Sequence, residues 1–131
     1  MGNGSTNVIQ QGDFQRRIAI NLERLADRDC VETLIGDWAT MELPVQHADV
    51  VTCCQVIEHL TDEQLPAFVD RLFAVGRSVI ITVPYQWPAG WCKYHVQDPI
   101  DLPKLDRMVG RRPSAVQIVT DGNVRRVVAA Y

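Results

Sequence analysis

Residues 48–56, ADVVTCCQV, restrict the possible fold of this chain more than any other segment. A strand exposed on one face alternates apolar and polar residues, whereas a nearly unbroken apolar run suits a parallel strand covered on both faces. Residues 78–83, SVIITV, form a second run of this kind, closed by Pro84. The two runs predict neighbouring strands in the centre of a parallel sheet.

The segment between these two runs predicts a helix. Thr61 and Gln64 form a capping-box pattern, and apolar residues then recur at helical spacing until Gly76. We therefore predict a helix over residues 62–74. Strands that alternate with helices imply an α/β fold with a mostly parallel sheet.

Weaker patterns extend this order towards the N-terminus. Residues 17–20 predict a short strand, residues 21–27 a short helix, and residues 31–35 another strand that ends at Gly36. Residues 1–15 are rich in Gly, Asn, Ser and Gln, and we expect a flexible segment in which residues 7–9 can add a short strand.

The C-terminal third predicts a short helix and a hairpin. Asp101 is placed to cap a helix that Gly110 ends. Residues 115–120 and 124–131 predict strands joined by the turn Asp121-Gly122-Asn123. Together with the earlier elements, these give a single domain over residues 16–131.

Composition and charge exclude several classes of function. The net charge is −3 with acidic and basic residues interspersed, so we expect neither nucleic acid nor an anionic membrane as partner. No segment reaches the roughly 20 apolar residues of a membrane span. The four cysteines form no Cys-x-x-Cys pair, which favours reduced thiols in a cytoplasmic protein.

No metal site is expected from sequence spacing. His47, His59 and His95 lie far apart along the chain, and no cysteine pair accompanies them. Cys53 and Cys54 are adjacent within the predicted strand, so their side chains should point to opposite faces.

Five short motifs succeed one another between residues 35 and 84. They are Gly36-Asp37, Leu43-Pro44, Asp49-Val50-Val51, Glu58-His59-Leu60 and Val83-Pro84. In this order they resemble the middle of a class I S-adenosylmethionine-dependent methyltransferase. The segment HVQDPID at residues 95–101 and the closing hairpin resemble later parts of such enzymes. The resemblance covers about residues 17–131 and implies a Rossmann-like sheet.

The beginning of that fold is not recognisable. Members of this family start with a strand that runs into a Glu-x-Gly-x-Gly-type turn, whose glycines let the backbone approach the cofactor. Before Gly36 the chain has only Gly2, Gly4 and Gly12, and none of them follows an apolar strand. We therefore expect a sheet that lacks the usual first strand.

The resemblance implies S-adenosylmethionine as cofactor and suggests the residues that would hold it. Asp37 would face the adenine amino group beside the aromatic wall of Trp38, and Gln55 would lie at the same edge. Asn21, with Glu23 two residues on, stands where an acidic residue usually holds the ribose hydroxyls. Alternatively, Asp37 simply ends a strand and caps the next turn.

A second group of residues is placed to handle a methyl acceptor. Glu58 and His59 follow the central strand at its carboxyl end, where ligands bind in open α/β sheets. His59 could act as general base, or it could only cap the turn before the helix.

The loop at residues 84–100 is rich in aromatic residues and is open to two interpretations. It could form the wall of an acceptor pocket, or it could be held to the sheet by its own aromatic side chains. The residues concerned are Tyr85, Trp87, Trp91, Tyr94, His95 and Asp98.

These features predict a methyltransferase-like protein that is truncated and inactive alone. The alternative is a non-catalytic binding or assembly module, or the partner subunit of a split or full-length methyltransferase. A missing central strand leaves backbone edges unpaired. The chain could close the gap, insert residues 6–10 as a substitute strand, or pair with another copy. We therefore expect a homodimer or higher assembly, or a partner protein.

Overall fold

The computed structural model describes residues 5–10 and 30–131, in two compact units, Met1–Leu43 and Pro44–Tyr131. In the first unit, strands β1 (Ser5–Gln10) and β2 (Val31–Gly36) pair in parallel. β1 contains residues 7–9, where the sequence allowed a short strand, and it extends over Ser5–Gln10 within the segment that was otherwise predicted to be flexible. The single domain over residues 16–131 stays a prediction. The predicted strand at 17–20 and helix at 21–27 fall outside the described residues.

The second unit contains a mixed four-stranded sheet. Its strands are β3 (Ala48–Cys54), β4 (Gly76–Pro84), β5 (Ala115–Asp121) and β6 (Val124–Ala130), in the order β3-β4-β6-β5. β3 and β4 are parallel, while β6 is antiparallel to both β4 and β5. The predicted α/β sheet and its C-terminal hairpin are confirmed. Among the described strands, none is the counterpart of the strand that leads into the glycine turn of methyltransferases.

Helix α1 (Leu65–Val75) connects the two parallel strands. It begins three residues later than predicted because residues 61–64 form a turn. The Thr61 carbonyl accepts bonds from the amides of Gln64 and Leu65, and the Thr61 amide donates to Gln64 Oε1 over 2.9 Å. The predicted capping pattern therefore organises this turn and the entry to the helix.

Helix α2 (Leu102–Val109) has the ends that its sequence predicted. Asp101 Oδ1 accepts a bond of 2.8 Å from the Lys104 amide, which satisfies one of the unpaired donors of the first turn. Gly110 ends the helix with φ 71°, a left-handed conformation that costs glycine little.

The core of the second unit lies where α1 packs on β3 and β4. Phe68, Val69 and Leu72 recur at helical spacing and are buried, as is Ile81 on β4. Cys53 is buried whereas Cys54 is exposed, so these neighbours occupy opposite faces of β3 as predicted. No helix within residues 30–131 is long and apolar enough to cross a bilayer.

Strand β5 differs from the rest of the sheet in its exposure. All seven of its residues are exposed, including Val116, Ile118 and Val119. It forms hydrogen bonds with β6 on one side only and is an edge strand.

Candidate functional site

Polar residues gather where the parallel strands β3 and β4 end. Directly after β3, Gln55 adopts φ 57°, a conformation that is uncommon for a residue with a side chain. Its amide donates to the Thr82 carbonyl over 2.9 Å, and its Nε2 donates to Thr82 Oγ1 over 3.2 Å. The chain then turns into a short 3-10 helix (Ile57–His59) that carries Glu58 and His59. Gln55 thus sets the direction in which the chain leaves β3, and its side chain is hydrogen-bonded to Thr82 on β4.

The loop after β4 returns to this 3-10 turn. The amides of Val96 and Gln97 donate to the Glu58 carbonyl over 3.0 and 3.2 Å. Gln97 Nε2 donates to the Leu60 carbonyl over 2.7 Å and to Asp62 Oδ1 over 3.0 Å. These bonds hold His95 and Asp98 beside Glu58 and His59.

Gln97 is a structural residue of the site that the sequence analysis missed. It is only 4% exposed, and both of its amide contacts connect the loop to the turn. The only sequence signal is its position inside the His-Val-x-Asp-Pro segment, where the resemblance assigns no residue type.

The two histidines of the site are oriented by acceptor oxygens. His95 Nδ1 lies 2.7 Å from Asp98 Oδ2, and His59 Nδ1 lies 3.0 Å from the Tyr94 carbonyl oxygen. The rings meet edge to face with centroids 4.7 Å apart. A carbonyl or carboxylate oxygen can only accept a bond, so the proton of each neutral ring belongs on Nδ1. Nε2 is then the basic, lone-pair nitrogen of each ring.

Glu58 is completely buried beside these rings, at 0% exposure. Burial raises the pKa of its carboxyl group to about 8, and the neighbouring Asp98 adds to the shift, while the nearby backbone amide of Glu58 itself and the charge of Arg126 oppose it. Among the described residues, neither carboxyl oxygen has a hydrogen-bond partner. The nearest titratable nitrogen is His59 Nε2, 3.9 Å from Oε1. An unsatisfied buried carboxyl group is costly and is typical of functional sites.

Trp87 and Trp91 form an aromatic wall on one side of this cluster. Trp87 is stacked on His95, with centroids 5.6 Å apart and planes inclined by 19°, and it contacts Trp91 edge to face at 5.3 Å. Its Nε1 donates to the Arg125 carbonyl over 2.8 Å. Trp87 thus both attaches the loop to β6 and lines the cluster, so the two interpretations of the loop are compatible. Tyr85 instead lies against the Arg125 guanidinium, 5.1 Å from its ring centroid.

The predicted cofactor residues fall in different parts of the chain. Asp37 follows β2 and caps the next turn, with Oδ1 accepting from the Ala39 amide over 3.1 Å and Oδ2 from Thr40 Oγ1 over 3.3 Å. The capping role is therefore present, and the adenine role stays a prediction. Trp38 is buried, at 7% exposure. Asn21 and Glu23 lie outside the described residues.

The ribose-binding role of Asn21 and Glu23 stays a prediction. It assumed a strand at residues 17–20, which lie outside the described residues, and the described partner of β2 is β1, which ends at Gln10.

The reason for expecting no metal site also needs correction. His59 and His95 are far apart in sequence, yet the loop brings them together, and Glu58, His59 and His95 each place one ligand atom within 4.8 Å of the others. Sequence spacing detects metal sites whose ligands lie on one local motif, whereas here hydrogen bonds of Gln97 and Val96 bring two distant segments together. Tyr94 contributes its backbone carbonyl to the cluster.

Comparisons with solved structures identify the fold. The chain is similar to LepI in complex with SAM, with a TM-score of 0.68 and 9% identity, over 99% of this chain and 36% of LepI. It is also similar to a putative O-methyltransferase from Nostoc punctiforme, with a TM-score of 0.64 and 10% identity, over 98% of this chain and 44% of that protein. A third similar structure is the N-methyltransferase NodS from Bradyrhizobium japonicum, with a TM-score of 0.62 and 12% identity, over 95% of this chain and 70% of NodS. The fold is methyltransferase-like. This chain spans less than half the length of the first two structures. No protein-family model and no curated protein matches it.

Proposed function

We propose that this chain is a methyltransferase-like protein whose buried cluster forms the acceptor side of an S-adenosylmethionine-dependent site. The observation that carries the proposal is the position of Glu58, His59, His95 and Asp98 at the carboxyl ends of β3 and β4. In open α/β sheets this edge is where ligands bind. Structures of similar fold were solved with SAM or SAH, which supports the choice of cofactor.

In this proposal the protein positions the acceptor and takes up its proton. S-adenosylmethionine would supply the methyl group when bound, and the residues of the cluster would orient the acceptor and take up the proton that it loses. His59 is the base, because its Nδ1 is bound to the Tyr94 carbonyl and its Nε2 carries the lone pair. Trp87 supplies an apolar wall beside His95.

Each unit has its own proposed cofactor contact. In the first unit Asp37 is the proposed contact for the adenine amino group, and in the second unit Gln55 follows β3. The glycine-rich turn that brings the backbone close to the cofactor is not recognisable in the sequence. We therefore propose that the chain alone binds the cofactor only at millimolar strength and is inactive until another polypeptide supplies the missing part.

The test is a titration of the chain with S-adenosylhomocysteine, followed by amide chemical shifts in NMR. We expect weak, saturable shifts for Ala39 and Thr40, which follow Asp37, and their loss in Asp37→Asn, which retains an accepting oxygen for the turn. Asp49→Asn is the matched control, since Asp49 is exposed and pairs only loosely with Arg77 at 3.4 Å.

The outcomes of this titration separate the proposals. Micromolar binding that is lost in Asp37→Asn would refute the claim that the chain is incomplete alone. No shifts at several millimolar ligand would refute cofactor binding and favour the non-catalytic alternative.

That alternative is an assembly module, and one observation favours it. β5 presents an exposed edge with three large apolar residues and no proline, which is a surface suited to pairing with another strand. We propose a homodimer through this edge, and light scattering with the wild type and Ile118→Lys tests it. A monomeric wild type at working concentration would contradict the assembly.

A further inference from the structure

We propose that Glu58, His59 and His95 form a binding site for a divalent first-row transition metal ion, with Zn²⁺ as the best-suited ion. One ligand atom of each residue lies within 4.8 Å of the other two. Two imidazoles and one carboxylate are a donor set that zinc uses where it keeps a fourth position open.

Hydrogen bonds at Nδ1 orient both histidines as metal ligands. In metal sites, a ligating histidine usually donates its other ring N–H to a carboxylate or a backbone carbonyl, which fixes the tautomer and the ring orientation. Here His95 has the Asp98 carboxylate at 2.7 Å and His59 has the Tyr94 carbonyl at 3.0 Å. Both contacts involve Nδ1, so Nε2 is the ligand nitrogen in each ring. A bound ion occupies the lone pair of His59 Nε2, so the base role of the proposed function belongs to the metal-free protein.

Glu58 provides an independent reason to expect a cation. Its side chain is 1% exposed, and neither oxygen has a hydrogen-bond partner among the described residues. A buried carboxylate needs a compensating charge or hydrogen bonds, and a metal ion between Glu58 and the histidines supplies the charge. The 32% exposure of the His59 side chain leaves a path from solvent to the site.

The three ligand atoms lie within 4.8 Å of one another, so binding an ion requires the most distant pair to approach by up to about 1.5 Å. With bonds of roughly 2.0 to 2.1 Å, ligand atoms around tetrahedral zinc lie about 3.3 Å apart. His59 Nε2 is 3.9 Å from Glu58 Oε1, so this pair closes by about half an ångström. Imidazole ligands select transition ions over Mg²⁺ and Ca²⁺, which prefer oxygen. The fourth position is open to water or to an oxygen or nitrogen donor of a substrate.

The experiment is a titration of the chelator-treated, dialysed full chain with ZnCl2, in the absence of any cofactor. We expect one site per chain, affinity lowered by more than about 100-fold in His95→Gln and Glu58→Gln, and by roughly 10- to 100-fold in Asp98→Asn, which acts through His95. His47→Gln is the control, because His47 is exposed and outside the cluster, and it should bind like the wild type. MgCl2 should give no saturable heat.

Two further measurements keep the test decisive. His59→Gln removes a half-exposed ligand, so it tests the site even if the buried Glu58→Gln variant does not fold, and circular dichroism checks each variant. Substitution with Co²⁺ reports the ligands, since thiolate ligands from the four free cysteines would give a charge-transfer band that imidazole and carboxylate ligands do not.

Absence of one-to-one zinc binding, equal affinity of the wild type and His95→Gln, or a thiolate-to-cobalt band would overturn the proposal. Because no cofactor is present in the titration, these results do not depend on the proposed methyltransferase function.

Discussion

The buried carboxyl group of Glu58 predicts an unusual dependence of stability on pH, which Glu58→Gln should abolish. In metal-free protein, burial raises the pKa of Glu58 from 4.5 to about 8. The folded state therefore holds a proton that the unfolded state releases. Its contribution to stability is complete below pH 4.5 and is lost as the pH rises through about 8.

The magnitude follows from the width of that window. Between these two pKa values the unfolded chain binds one proton fewer than the folded chain, so the free energy of unfolding falls by about 1.4 kcal/mol per pH unit. Over the window from 4.5 to about 8, the loss amounts to about 5 kcal/mol. Glutamine has nearly the same shape and no titrating group, so the variant should lack this slope.

The assay is urea unfolding, followed by circular dichroism, at pH values from 5 to 8.5 with EDTA present throughout. We expect Glu58→Gln and the wild type to converge near pH 5 and the variant to be more stable by several kcal/mol at pH 8.5, since about 5 kcal/mol is the full effect. Glu63→Gln, at an exposed position of the same unit, is the control and should follow the wild-type curve. Parallel curves for the wild type and Glu58→Gln would refute the reasoning.

Three further substitutions test how the site is supported. Asp101→Ala removes the N-cap oxygen of α2 and should lower the free energy of unfolding by about 1 kcal/mol in urea titrations, while Asp101→Asn, which keeps an accepting oxygen, should lose much less. Ile81→Ala at 0% exposure should cost about 2–5 kcal/mol and Ile81→Val about 1 kcal/mol, and equal losses would contradict a close-packed core. Gly76→Ala places a Cβ 3.0 Å from both the Ser78 carbonyl and Val51 Cγ2, so thermal unfolding should show a loss of about 1–3 kcal/mol, and an unchanged melting temperature would show that the strand can shift.

Local patterns in the sequence were sufficient for much of the second unit. The apolar runs at 48–56 and 78–83 became β3 and β4, and the Asp-Gly-Asn turn became the connection between β5 and β6. These signals succeed because strand burial, turn conformation and helix capping depend on residues that are neighbours in sequence.

Local patterns gave less information about the N-terminal strand. The sequence allowed a short strand at residues 7–9, and the structure has β1 over Ser5–Gln10, whose sequence STNVIQ is largely polar. Its existence depends on parallel pairing with β2, which begins at residue 31. A short polar segment has no local preference strong enough to reveal such a partner.

The sequence by itself determined the α/β class, the central strands, and the placement of Glu58 and His59 at a carboxyl edge. Only the tertiary structure decided that His95 joins them, because that contact depends on backbone and side-chain hydrogen bonds from Val96 and Gln97 to a turn more than thirty residues earlier. It also decided the burial that raises the pKa of Glu58. Burial and convergence are properties of packing between distant segments, and no local pattern of residues records them.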